Sequence, residues 1–167
     1  MTLPSVSFRP ARETDAEELA GLARELAASE GGMPERIDAG WFAATMLNPG
    51  GPVRVHVAEN GGHLIGYVAW SSMIETIYAS AGAYVGDLVV TGKWRGRGIG
   101  QRLLAVAASD ARSCGLQHLW LVTNKENEQA ERFYRRLANI RQEVVGFAFA
   151  DETFSRLADQ GLAETAA

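Results

Sequence analysis

Residues 86–104 read GDLVVTGKWRGRGIGQRLL, which predicts an apolar strand, a basic glycine-rich turn and the start of a helix. The first N–H groups of a helix lack intrahelical acceptors, and the helix dipole adds partial positive charge there, so this turn can bind an anion. Glycines at 96, 98 and 100 lack the Cβ atoms that would block close approach. The surrounding cations suit phosphate oxygens: Lys93, Arg95, Arg97 and Arg102. The stretch therefore predicts a diphosphate site.

Two common phosphate-binding patterns do not fit this turn. A dinucleotide fingerprint that starts at Gly98 would need a third glycine where Leu103 stands. A nucleotide P-loop that ends in Lys93 would need a hydroxyl residue where Trp94 stands. The ligand is therefore expected to be a diphosphate of another kind.

The pattern that fits is Arg95-x-x-Gly98-x-Gly100, after an Asp-Leu-x-Val strand and before a Leu-Leu helix. It resembles the coenzyme A signature of the GNAT family of N-acetyltransferases, in which the turn amides hold the pyrophosphate. The resemblance implies acetyl-CoA as cosubstrate and no metal. With the second signature described below, it implies these cofactor-binding residues: Leu88, Val89, Val90, Arg95, Gly96, Arg97, Gly98, Ile99, Gly100, Gln101 and Asn127.

Length and composition indicate one soluble domain, residues 1–167. A chain of this length can bury roughly 70% of its unfolded surface, and the net charge of −4 disfavours broad binding to nucleic acid or a membrane surface. The single cysteine, Cys114, excludes an intramolecular disulfide and fits a reducing cytoplasm. No apolar run has membrane-spanning length. We expect a cytoplasmic protein with a small anionic ligand.

Periodicity predicts an α/β or α+β fold with a mixed sheet and helices on both faces. The family resemblance implies a mostly antiparallel sheet in which two strands splay to form the coenzyme slot. A capping box at Thr14 and a hairpin turn at 60–62 are also expected. The predicted strands are 5–9, 53–58, 64–72, 83–90, 116–123, 139–141 and 143–150, and the predicted helices are 15–28, 38–47, 98–113, 126–137 and one from Asp151.

Acetyl transfer needs a neutral amine, a stabilised oxyanion and a proton for the departing thiolate. Exposed amides near residues 88–90 are candidates for the oxyanion, and Asp87 or Glu75 for the base. Asn127-x-x-Ala130-x-x-Phe133-Tyr134 resembles the second signature of the family, in which asparagine and the helix bind pantetheine and tyrosine protonates sulfur. The catalytic residues are thus predicted to be Tyr134 and Asp87.

The three histidines lie far apart on different segments: His56, His63 and His118. This spacing indicates neither a metal site nor a nucleophilic triad, so surface or edge positions are expected.

Residues 66–68 and 82–88, together with 149–157, look like the polyamine and thialysine acetyltransferase branch. Gly86, Gly92 and Ala138 depart from its usual pattern. The resulting hypothesis is direct acetyl transfer, in a ternary complex, to a primary amine of a small molecule. The alternative is a non-catalytic domain that binds or senses acyl-CoA. The acceptor stays open, and the resemblance allows a homodimer. Neither a nucleic-acid nor a membrane partner is expected.

Overall fold

A mixed sheet organises the first of two units in this computed structural model, which describes residues 5–165 and the side chains of residues 5–161. The units are Met1–Asn124 and Lys125–Ala167. Five strands form the sheet within the described residues, in the order β1-β2-β3-β4-β5. Their bounds are Ser7–Pro10 (β1), Val53–Asn60 (β2), His63–Glu75 (β3), Ser80–Val90 (β4) and Leu119–Trp120 (β5). The predicted fold class, mixed and mostly antiparallel, is confirmed.

Three helices cover the two faces of this sheet: Ala16–Ser29 (α1), Ala39–Met46 (α2) and Ile99–Ser113 (α3). Leu19 and Phe42, from α1 and α2, pack with Tyr67 on one face. Leu103 and Ala107, from α3, pack on the opposite face against a second set of strand residues. The predicted arrangement, with helices on both faces, is therefore present within this unit.

Local signals placed several elements correctly. Gly61 and Gly62, with φ of 59° and 82°, form the predicted hairpin turn between β2 and β3. Asp38 caps α2 by accepting a 2.7 Å hydrogen bond from the Trp41 N–H. Gly115, with φ of 80°, follows the end of α3, as predicted.

The capping box predicted at Thr14 is wrong. Asp15 is the residue before α1, and its side chain makes no cap bond to that helix. Its Oδ2 instead accepts from the Arg12 N–H at 2.7 Å, in a preceding 3-10 turn, Glu13–Asp15. Arg9 binds the same carboxylate at 2.7 Å, and this ion pair holds the pKa of Asp15 below its usual range.

The hairpin of β3 and β4 is longer than the sequence predicted. Residues 73–82 were expected to be irregular, but β3 reaches Glu75 and β4 begins at Ser80, joined by a 3-10 helix, Thr76–Tyr78. Strand pairing continues to the Glu75–Ser80 pair. Ile74 and Ile77 are exposed, so this end lacks the buried face that makes alternation visible.

The second unit contains helices Glu128–Arg135 (α4) and Asp151–Thr165 (α5). The helix expected at 126–137 is present but shorter, and Leu137 lies beyond its end. The strands expected at 139–141 and 143–150 are wrong, because residues 138–150 form neither helix nor strand. Likewise, only Leu119–Trp120 of the strand expected at 116–123 pairs in the sheet of the first unit.

Candidate functional site

The glycine-rich turn connects β4 to α3 and is exposed. After a 3-10 helix, Gly92–Trp94, the chain passes through Gly96 and Gly98, whose φ angles are 72° and 77°. A side chain in this left-handed region is strained, so glycine is favoured at both positions. Arg95 Nε donates a 2.9 Å hydrogen bond to the Val90 carbonyl and ties the turn to the end of β4.

The start of α3 has the features of an anion site. Its first helical bond runs from the Arg102 N–H to the Gly98 carbonyl at 3.1 Å, so three N–H groups precede it: those of Ile99, Gly100 and Gln101. A Cβ at Gly98 would find no atom within 4 Å. The chain at Gly98 is therefore uncrowded, directly before the N–H groups that a helix start offers to an anion.

The side chains around this turn differ in orientation. The Ile99 side chain is buried, so only its backbone can serve a ligand. The Arg97 guanidinium lies 5.2 Å from the Trp94 ring centroid at the turn. Arg102 lies over Phe8 of β1 at 4.3 Å. Arg97 is exposed and belongs to the turn itself, so it is a candidate for a phosphate contact.

Strand β4 presents backbone amides at an open edge. Its pairing with β5 comprises Ala83–Leu119 and Tyr84–Trp120, so the described residues give β4 no β5 partner further on. The Thr91 N–H bonds to Ile65 of β3 at 2.9 Å. Because backbone groups alternate along a strand, the N–H groups of Leu88 and Val90 point away from β3, and that of Val89 points toward it. Leu88 and Val90 therefore face the opening.

A β-bulge orients the Asp87 side chain. Ala69 pairs with Asp87, and the next residue of β3, Trp70, pairs with Val85, so Gly86 is the extra residue. Before the bulge, Val85 faces α3, and after it, Val89 faces α1 and α2. Asp87 has the same parity as Val89 and lies on the face of α1 and α2. The Asp87 side chain and the Leu88 amide, which points away from β3, therefore belong to consecutive residues.

Asp87 has one hydrogen-bond partner among the described side chains. The Tyr67 hydroxyl donates to its Oδ2 at 3.0 Å. Burial raises the pKa of Asp87 above its ordinary value, and the Tyr67 hydrogen bond opposes that rise. Burial and the neighbouring carboxylate also raise the pKa of Tyr67. A partly buried carboxylate with a raised pKa is a candidate proton acceptor.

Glu75, the other predicted base, lies at a different end of the sheet. It pairs with Ser80, and Asp87 follows seven residues later on β4, roughly 20 Å away at the rise of a strand. Glu75 Oε2 accepts from His118 Nε2 at 2.8 Å, and His118 Nδ1 lies 3.1 Å from the Ser80 hydroxyl. The two carboxylates therefore cannot serve the same amine.

The three histidines lie in different surroundings. No cluster of three or more potential metal ligands occurs among the described residues. His63 is exposed, as expected, but His56 is buried, because β2 carries it under α3, where its Nε2 lies 3.6 Å from Asp110. Burial lowers the pKa of His56. The contacts of His118 with Glu75 and Ser80 were not predicted from the sequence, because they depend on strand register.

The second unit carries the remaining predicted site residues on α4. Asn127 Oδ1 accepts from the Ala130 N–H at 3.0 Å and caps the helix. Tyr134, in its last turn, packs edge-on against Phe133 with ring centroids 5.1 Å apart. The seven-residue spacing is two helical turns, so Asn127 and Tyr134 lie on one face of α4.

A helix start with free amides beside an open strand edge has the features of a site for a phosphate-bearing ligand. Residues 16–139 match the acetyltransferase (GNAT) family, and the chain belongs to this family. It is an N-acetyltransferase, and such enzymes use acetyl-CoA. No helix within residues 5–165 is long and apolar enough to cross a membrane.

Known proteins similar to this chain agree with that class. An aminoalkylphosphonate N-acetyltransferase of Salmonella typhimurium is 31% identical over 134 residues, 80% of this chain and 84% of that protein. An integron cassette protein of V. cholerae superposes with a TM-score of 0.75 at 22% identity, covering 92% and 98% of the two chains. An aminoglycoside N-acetyltransferase in complex with CoA gives 0.74 at 19% identity, covering 86% and 93%. The two structures support the fold.

Proposed function

We propose that this protein transfers the acetyl group of acetyl-CoA directly to a primary amine of a small molecule, in a ternary complex. The observation that carries the proposal is the meeting of two functions at consecutive residues of β4. The Leu88 amide faces the open edge, and the Asp87 carboxylate lies on the face of α1 and α2. An acyl donor and an amine acceptor could thus meet at this point of the strand.

The donor would bind along the open edge of β4. Its pyrophosphate would accept hydrogen bonds from the N–H groups of Ile99, Gly100 and Gln101, with Arg97 as a cationic neighbour. The N–H groups of Leu88 and Val90 would then polarise the thioester carbonyl and stabilise the oxyanion. Both sets of hydrogen bonds come from backbone N–H groups. In this proposal the donor site is therefore formed mainly by the exposed turn and the edge of β4.

The acceptor amine must lose a proton to attack the thioester carbon. A free alkylamine has a pKa of about 10, so a nearby base is needed at neutral pH. Asp87 would take the proton, directly or through water, while the new C–N bond forms. The C–S bond then breaks, and Tyr134 would donate its hydroxyl proton to the departing thiolate.

The acceptor is a small amine in this proposal. The curated relative acts, by its name, on aminoalkylphosphonates, and one structural neighbour on aminoglycosides. Asp87 would attract an ammonium group before deprotonation, and α1 and α2 would form the wall around it. Membership of the polyamine and thialysine branch is the narrower form of this hypothesis and would add diamines to the candidates.

We further propose that the enzyme is cytoplasmic and forms a homodimer. Cys114 is a free, exposed thiol, which is compatible with a reducing compartment. Sedimentation velocity of the purified protein measures the assembly directly.

The test is an assay of CoA thiol release across a panel of aminoalkylphosphonates, aminoglycosides, diamines and amino acids. We expect turnover with at least one class, and Tyr134→Phe should lower kcat on it by about 10²-fold. Tyr78→Phe, which removes an exposed phenol from the β3–β4 connection, is the matched control. Tight CoA binding without turnover on any amine would instead identify an acyl-CoA sensor.

A further inference from the structure

We propose that Tyr67 is a positioning residue for Asp87: its buried hydroxyl holds Oδ2 and thereby directs Oδ1 toward the acceptor amine. This inference rests on the proposed function, because it assigns Asp87 the role of proton acceptor. Tyr67 itself need not touch the substrate, and acts through the carboxylate alone.

The bulge at Gly86 makes this contact possible. Tyr67 pairs with Val89, and Asp87 pairs with Ala69, so the two side chains are diagonal neighbours on adjacent strands. Diagonal neighbours lie about 7–8 Å apart at their Cα atoms, which a tyrosine can span. Without the extra residue, Asp87 would have the opposite parity and would face α3. The bulge therefore places the carboxylate within reach of the hydroxyl.

The burial of Tyr67 requires a hydrogen-bond partner for its hydroxyl. The residue is 0% exposed, and a buried hydroxyl is unfavourable unless it forms a hydrogen bond. Asp87 Oδ2 is the partner that the described residues provide. Phenylalanine would fill the same space without that requirement, so packing alone does not explain a tyrosine here.

The ring of Tyr67 is held in place by the core around it. Phe42 of α2 packs edge-on against it, with centroids 5.9 Å apart and planes at 90°. The residues that α1 and α2 add to this cluster are all apolar: Leu19, Ala20, Leu22, Ala23 and Phe42. Because the ring is fixed, its hydroxyl has one position, and the hydrogen bond to Oδ2 fixes the position of the Asp87 carboxylate.

Tyr67 is also the titratable side chain that acts on Asp87: its hydrogen bond is the one interaction with another residue that affects the ionisation of this carboxyl group. No ion pair to Asp87 occurs among the described residues. Oδ1 accepts no hydrogen bond from them either, and Asp87 remains partly exposed. One oxygen is thus fixed, while the other is available to a ligand.

The test is the variant Tyr67→Phe, with kcat/KM measured against pH on an amine found active in the panel. Loss of the hydrogen bond to the charged carboxylate should raise the pKa of Asp87. The acid limb of the profile should then move up by about one pH unit. We expect kcat to fall about tenfold while KM for acetyl-CoA stays unchanged.

Two control variants separate positioning from packing. Tyr84→Phe removes a hydroxyl from β4, the strand of Asp87, without removing the hydrogen bond to Asp87. It should leave the acid limb of the pH profile in place. Phe42→Leu loosens the ring without removing the hydrogen-bond donor, so it should lower the melting temperature and shift the limb less than Tyr67→Phe does. A limb that does not move in Tyr67→Phe would overturn the inference.

A double-mutant cycle tests the inference independently of the pH profile, and Phe42→Leu tests it with the Tyr67 hydroxyl intact if Tyr67→Phe folds poorly. In an Asp87→Asn background, Tyr67→Phe should not reduce kcat further, because the group it positions is already gone. Additive losses would show that Tyr67 acts elsewhere. A ¹³C NMR titration of the Asp87 carboxyl group, with and without the hydroxyl, gives the pKa without any turnover. Failure of the proposed function, seen as no active amine, is therefore distinguishable from failure of this inference.

Discussion

The glycine-rich turn and the Tyr67–Asp87 pair both lie near the end of β4, but they are built in different ways. The turn is local and exposed, and its shape depends on positive φ angles at Gly96 and Gly98. The pair joins residues twenty positions apart across a bulged sheet, and its tyrosine is fully buried. A feature made of consecutive backbone groups can therefore be predicted from local sequence, whereas a contact between two strands depends on their register.

The largest expected effect separates these two regions through Asp87→Asn. Loss of the proton acceptor should lower kcat/KM for the amine by about 10²- to 10⁴-fold, while the CoA dissociation constant changes by less than about twofold. Steady-state kinetics and calorimetry on the same preparation measure both quantities. An Asn variant that keeps wild-type kcat would exclude Asp87 as the base, and Glu75→Gln is the matched control.

The same variant should be more stable than the wild type near neutral pH. Burial raises the pKa of Asp87 in the folded state, so its ionised form opposes folding, and this cost fades as pH falls through the folded pKa. Asparagine removes the charge and still accepts from Tyr67. We expect a gain of about 1 kcal/mol in the free energy of unfolding at pH 7.

Urea melts at several pH values measure this gain and its sign. The difference between Asp87→Asn and wild type should shrink as the pH is lowered. A variant less stable than wild type at pH 7 would mean that the carboxylate supports the fold and is not held there at a cost.

The smallest effect is expected at the rim of the turn. Arg97→Gln removes an exposed cation, so CoA affinity should fall by about two- to fivefold at low salt and by less at high salt. Calorimetry at two salt concentrations measures this. Arg102→Gln, on a side chain stacked over Phe8, is the control and should have a smaller effect.

The structural features that were predicted correctly have short-range causes. The glycines of the turn, the stripe of Ile99, Leu103, Ala107 and Ala111 on α3, and the Gly115 stop each follow from neighbouring residues. Backbone preference and helical period specify such features directly. The local structure around the proposed donor site could therefore be predicted before any tertiary contact was known.

The acceptor side could not be predicted in the same way. A bulge at Gly86 reverses which residues face α1 and α2; a glycine inside a strand is a signal for such a bulge, but it does not give the register that results. The partnership of His118 with Glu75 likewise depends on the parallel pairing of β5 with β4. Residues 143–150 are mostly apolar and were predicted to form a strand, but an apolar segment alone does not supply a neighbour to pair with.

The most direct test of the account is calorimetric titration of CoA into two matched glycine variants at opposite ends of α3. Gly98→Ala and Gly115→Ala place a Cβ at φ of 77° and 80°, each in open space, so both carry a similar backbone strain of about 1–2 kcal/mol. We expect Gly98→Ala to weaken CoA binding by about 10²-fold. Gly115→Ala should bind CoA with the affinity of the wild type. Equal affinities for both variants would contradict the claim that the start of α3 holds the coenzyme diphosphate.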